Sequence, residues 1–310
     1  MRLITGLGIL LATFTLSGCG LFKSMAMNSV ADSLSGSGDV FGSDEDPELV
    51  KDAIPFGLKT YESLLVELPE HRGLLLATAS GFTKYAYAFV ILEAERVEDT
   101  DLARARELRV RARKLFIRGR DYAIRGLEVA HPDFLRRLKD DPAQALSDTT
   151  PEDVPLLYWA GASWGAALMS GKDDLNLVAE LPLAGALVGR VLQLDETYDG
   201  GAAHEFMISY EGGRSEAMGG SAKRAREHYR RALELSGGKR GSVPLALAET
   251  VSVQEQNVAE FRALCQAAKA VDPDAVPASR LVNILARRRA VLLESKIPDL
   301  FLETSEEKKK

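Results

Sequence analysis

Gly161-Ala162-Ser163-Trp164-Gly165 has the form Gly-x-Ser-x-Gly, which in hydrolases presents a nucleophilic serine on a sharp strand-to-helix turn. Asp195 and His204 follow in the order acid then base. The chemistry would be acyl transfer. It needs a strand directly before Ser163 and a parallel sheet around it. Val154 to Trp159 is one candidate strand, but nothing else in the chain reads as sheet. A helix rich in Gly, Ala and Ser that packs closely explains the same residues, so no catalytic residue is assigned.

A second group of residues suits binding rather than catalysis. Tyr158, Trp159 and Trp164 cluster in one helical pattern, and the two tryptophans are the only ones in the chain. Trp159 and Trp164 are five positions apart and point about 140° away from each other on an ideal helix, so they cannot face the same neighbour. One reading gives one of them to a cleft and the other to the core; packing for both is the alternative. His204, Glu205 and Phe206 follow Asp199-Gly200-Gly201, where paired glycines allow close backbone approach. His204 and Glu205 either aim a polar pair at a ligand or hydrogen-bond at a helix end. With Phe206 and Tyr210 these residues make up the candidate ligand-binding set. His71, His131, His204 and His228 are scattered and no His-Glu-x-x-His occurs, so no metal site is expected. Gly237-Gly238-Lys239 lacks phosphate-loop spacing and reads as a helix C-cap, and no cofactor is expected.

The leader carries a different chemistry. Arg2 is the only charge before a mostly apolar run from Leu3 to Leu16, a signal-peptide pattern too short for the ~20 residues of a membrane span. Leu16-Ser17-Gly18-Cys19 resembles the bacterial lipobox. That resemblance implies acylation of Cys19, which becomes the first mature residue and anchors it in a lipid bilayer; each buried methylene adds about 0.8 kcal/mol. Gly20 rather than Asp resembles Gram-negative sorting to the outer membrane, periplasmic face. Cys265 is then the one remaining thiol, so no intrachain disulfide and no zinc or redox motif is available. The net charge of −6 disfavours nonspecific phosphate binding, and nucleic acid is not an expected partner. The basic clusters Arg104 to Arg125 and Arg287-Arg288-Arg289 lie inside helical patterns and read as solvated faces.

These residues must be positioned by helices. Residues 19–46 are rich in Ser, Gly and Asp and read as a flexible tether after the 1–18 leader, and 304–310 read as a charged tail. Between them, over 47–303, the 3.6-residue period predominates. Ile54, Leu58, Tyr61, Leu65 and Leu68 form one stripe, with Pro55 in its first turn and Pro69 at its end. Leu74 to Leu92, Leu102 to Gly119 and Asp121 to Lys139 follow as helices. Thr150-Pro151-Glu152-Asp153 is a capping box that opens the helix through Trp164, and Ser252-Val253-Gln254-Glu255 has the same form ahead of Phe261. Ala222 to Gly238 and Ala259 to Pro277 look like second halves of tetratricopeptide repeats, with Leu235 and Val271 36 positions apart. The expectation is an all-α body of stacked helical hairpins with cryptic tetratricopeptide-like repeats, an α-α superhelix.

The stretch from Leu157 to Gly212, with Gly81 to Val90 and Gly219 to Glu249, resembles the T-component (TatT) lipoproteins associated with TRAP transporters. The Tyr-Trp-x-x-x-x-Trp, Lys-Asp-Asp and His-Glu-Phe segments in that order carry it, and it extends over roughly Pro47 to Leu302. The resemblance implies an accessory of a TRAP-type transport system that docks a periplasmic substrate-binding protein. It implies a cleft or pore for an apolar small ligand, and assembly into homotrimers. Lys172, Asp173 and Asp174 are the segment matched to a partner contact, or else a solvated turn. The competing reading is a structural or assembly lipoprotein that binds peptide segments through its repeats.

Overall fold

The computed structural model describes residues 27–34, 40–170 and 175–302. The leader with Cys19, the segment Lys172–Asp174 and the tail lie outside the described residues. Those described contain helices and turns and no strand, so the all-α expectation holds.

Helix α1 is Pro47–Glu67 and α2 is Arg72–Val97. Helix α3 is Leu102–Glu128, followed by the short α4 (Phe134–Asp140) and α5 (Pro142–Ser147). Then come α6 (Val154–Met169), α7 (Leu175–Ala179), α8 (Leu181–Leu194), α9 (Ala202–Gly212) and α10 (Ala222–Leu235). The chain ends with α11 (Ser242–Leu247, prolonged by a π turn Ala248–Ser252), α12 (Val258–Ala270), α13 (Arg280–Ser295) and α14 (Ile297–Leu300).

Local chemistry sets these boundaries. Asp46 caps α1 by accepting from the amides of Glu48 (3.0 Å) and Leu49 (3.1 Å), with Pro47 in the first turn. This start signal lies upstream of the one read from Pro55, which therefore sits inside the helix. Thr150 forms its capping box: its amide donates to Asp153 Oδ2 at 2.9 Å. Gly237 and Gly238 end α10 at positive φ (58° and 69°), and the Gly238 amide reaches Leu233 O at 2.9 Å. Ser252 does not open α12. Asn257 caps it by accepting from the Glu260 amide at 3.1 Å, after Gln256 breaks the chain at φ 54°. Ser252 belongs to the preceding π turn and donates to Glu260 at 2.7 Å. Residues 27–34, read as part of a flexible tether, form a short helix whose Ala31 is fully buried against Leu65, Leu74 and Leu75.

The expected break of α3 at Gly119 does not occur; the helix runs through to Glu128. Gly119 is there for closeness. A Cβ on it would lie 2.5 Å from Thr83 Oγ1, 3.0 Å from Ala79 O and 3.3 Å from Ser163 Oγ. At this crossing of α2, α3 and α6, Thr83 and Ser163 share a 2.6 Å hydrogen bond and Ser163 also donates to Trp159 O. Ser163 is fully buried in mid-helix, which is packing chemistry and not a nucleophile turn. Gly119→Ala gains about 1 kcal/mol of helix propensity but overpacks a locked site, for which the penalty is about 1–3 kcal/mol. The expected result is a net loss of stability, read as a lower urea midpoint at unchanged m-value.

Consecutive helices pack side by side around two large cores, beside the small cluster at Ala31. Met207 belongs to the first and Ile208 to the second, so α9 is the wall they share. The apolar residues of α2, long enough to cross a membrane, face inward here: Leu74, Leu75, Phe82, Ala86 and Val90 are buried. The path then closes on itself. Arg288 of α13 pairs with Glu48 of α1 at 2.8 Å, the Leu281 amide donates to Gly42 O at 2.9 Å, and Lys296 pairs with Asp99.

Candidate functional site

Closure sets two π turns against α13. A π turn inserts one residue and re-aims the side chains beside it. One, Ala86–Ile91 in α2, carries Tyr87; the other, Ala248–Ser252, carries Glu249. Arg289 of α13 joins them. It donates from Nε to Glu249 (2.6 Å), from Nη1 to Glu95 (2.7 Å), and from Nη2 to both (2.8 and 3.1 Å). Its guanidinium also lies 5.6 Å from the Tyr87 ring centroid.

Tyr87 is 46% exposed. Arg289 pulls its pKa down, but desolvation and the carboxylates Glu249, Glu95 and Glu205 push it up, and the net direction is up. Glu95 is likewise held above the ordinary carboxyl range by burial, against the opposing pull of Arg289.

An aromatic group gathers on α6 and ahead of α9. Tyr158 meets Trp159 edge-on (5.1 Å, 79°) and Tyr198 at a tilt (5.4 Å, 54°). Lys84 of α2 sits 5.6 Å over the Trp159 ring. Arg240 donates to Asp199 at 2.9 Å and approaches Glu205 at 3.6 Å. Burial, then Glu205 and Asp199, raise the Tyr158 hydroxyl; burial and Asp199 push Tyr198 up to about 12. Glu205 contributes to raising both the Tyr87 and the Tyr158 hydroxyl.

Of the residues singled out in the sequence, Tyr158 and Trp159 belong to this aromatic group and Glu205 lies 3.6 Å from Arg240. Trp164 is fully buried; its indole donates to Glu180 at 3.1 Å beneath the Arg120 guanidinium at 4.8 Å, so it offers a ligand no surface. Phe206 packs on Gly165 and Tyr210 on Gly185, stacked on each other at 5.9 Å between α6, α8 and α9. His204 points elsewhere: Nδ1 shares a 2.8 Å hydrogen bond with His228 Nδ1, and Nε2 approaches Glu196 at 3.3 Å. Burial lowers both histidine pKa values.

Tyr87, Glu95, Tyr198, Arg240, Glu249 and Arg289 were missed. The solvated-face reading of Arg287-Arg288-Arg289 fails for Arg289, which is 9% exposed. One signal was available: Leu281, Leu285, Arg289 and Leu292 fall on one helical face, an arginine on an apolar stripe.

Comparison with known proteins gives two findings. A family model described as TRAP transporter T-component matches residues 43–301. A protein of Treponema pallidum (strain Nichols), described only as uncharacterized, is 30% identical over 268 residues, covering 85% of this chain and 83% of the relative.

Proposed function

Since the chain belongs to the TRAP transporter T-component family, we propose that it is a lipid-anchored accessory of a TRAP-type transport system. The body docks a periplasmic substrate-binding protein and holds a small, largely apolar ligand in a cleft or pore between its helix pairs. Acylated Cys19 moors it, on the periplasmic face of the outer membrane, and the Lys172–Asp174 segment contributes to partner contact. The observation that carries this reading is the extent of the family match, from ahead of α1 to the end of α14. Lateral support comes from Tyr87, Tyr158 and Trp159, whose rings lie beside charges that are mostly paired within the protein.

The test is capture. The full chain, purified in a maltoside micelle, is presented to the TRAP substrate-binding protein encoded nearest to it. A saturable complex that survives size exclusion is the expected outcome. A TRAP binding protein that elutes separately at every concentration up to about 100 μM overturns the docking role; transient partners seldom bind more weakly than this.

A further inference from the structure

Read from composition, residues 19–46 are a free tether, but the structure commits part of them to the body. The short helix at 27–34 lies against α1 and the start of α2. Its Ala31 is fully buried in a small cluster with Leu65, Leu74 and Leu75. The Tyr61 hydroxyl donates to Leu34 O at 3.2 Å, and Asp32 Oδ1 meets His71 Nε2 at 3.1 Å. Tyr61 lies within α1, whereas His71 caps α2. Tracing the short helix back from Leu34 through Asp32 therefore leads to the α1–α2 turn. The chain that joins it to Cys19 leaves the body from that end.

That placement shortens the reach of the anchor. Cys19 and Pro47 are 28 positions apart, enough for about 100 Å of extended chain. Cys19 and Met27 are eight apart and span at most about 29 Å. Helix α2, with 26 residues, is itself about 39 Å long. An acylated cysteine sits at the bilayer surface, so the α1–α2 turn is held close to it and the far end of α2 is carried outward. The exposed side of the short helix bears Val30 and Leu34, apolar side chains that suit the headgroup zone. Glu67 and Glu70, exposed at the same turn, give this end no attraction for anionic lipid. The strap, and not charge, sets the orientation. We propose that the α1–α2 turn is the membrane-facing end of the body, held against the bilayer by the docked helix at 27–34. This rests on the acylation of Cys19, and adds to it the orientation and distance of the body.

Energy transfer from the two ends of α2 to the membrane tests this. The full acylated chain is reconstituted in phosphatidylcholine vesicles doped with a rhodamine-headgroup lipid. A donor dye is attached at Glu70→Cys in one sample and at Thr100→Cys in another, both exposed positions. Cys265 is buried and stays unlabelled. Transfer is expected to be at least about twofold greater from position 70, because the two positions are separated by roughly the length of α2. Replacing part of the lipid by phosphatidylglycerol should not enlarge the difference; if it does, charge sets the orientation and the strap falls. Ala31→Glu expels the short helix from its apolar cluster, and a long Gly-Ser insertion after Lys23 lengthens the chain while leaving that helix docked. Each is expected to bring the two positions to equal transfer, and the insertion decides the matter if Ala31→Glu fails to fold. Equal or reversed transfer in the parent chain overturns the inference, as does a bias that survives the insertion. The mass of the amino-terminal peptide separates the two readings. An unacylated end removes the anchor and this inference with it, whereas an acylated chain without the bias removes the inference alone.

Discussion

Asp153→Ala is expected to remove about 3–5 kcal/mol of folding stability, the usual consequence of deleting one partner from a buried charged cluster. Asp153 is 2% exposed and sits where three segments meet. It accepts from Arg72 Nη2 at the start of α2 (2.6 Å) and from the Thr150 amide ahead of α6 (2.9 Å), and it shares a 2.8 Å contact with His131 beyond α3. Arg72 Nε is already buried without a partner, so losing Asp153 leaves that guanidinium without its anchor. Burial alone would raise the Asp153 pKa, but the Thr150 amide, His131 and Arg72 outweigh it and hold it below the ordinary value. A depressed carboxyl contributes stability above its unfolded pKa of about 3.9 and loses it as pH falls through the folded value. Wild type should therefore lose stability steeply on acidification below about pH 4. Asp153→Ala should start lower and show a flatter acid limb in urea titrations from pH 7 to pH 3. A variant with wild-type midpoint at pH 7 would show that the cluster adds nothing.

Arg289→Met should lower stability by about 3 kcal/mol, near the low end for a broken buried pair. The low end applies because Glu95 and Glu249 each keep 24% of their side-chain surface open. Methionine fills similar volume but removes the charge and its four hydrogen bonds. Two carboxylates then face each other without their shared cation. Glu95, already raised by burial, rises further. A carboxyl with a raised folded pKa binds more protons folded than unfolded, so stability falls as pH climbs from the unfolded to the folded value. The variant should be partly rescued at pH 5 relative to pH 8, and urea midpoints at the two pH values measure this. Equal destabilisation at both would assign the loss to packing and not to the two acids.

The architecture was legible where one helical turn decides it. The period of α1, the Thr150 box and the Gly237-Gly238 cap all depend on neighbours within a few residues, and they fold as read. Gly119 misled because propensity treats glycine as a break, whereas here its missing Cβ admits Thr83 and Ser163. The candidate site was half legible. Tyr158, Trp159 and Glu205 stood out by type, but successive helical residues turn by about 100°. His204 and Phe206, adjacent to Glu205, thus face other elements. Neither π turn has a sequence signature in this chain, so Tyr87 and Glu249 gave no warning. Arg289 needed its two acids, and the chain itself does not announce which distant carboxylates will meet it.

The clasp also bears on the order of assembly. Glu95 and Arg289 are separated by 194 positions, and Glu48 and Arg288 by 240. Synthesis delivers the amino end first, at about 5–20 residues per second. Every pair up to α12 can settle against its neighbour while α13 has yet to emerge. Until then Glu95 and Glu48 wait without their arginines, and the two ends of the chain are joined only when the last long helix arrives.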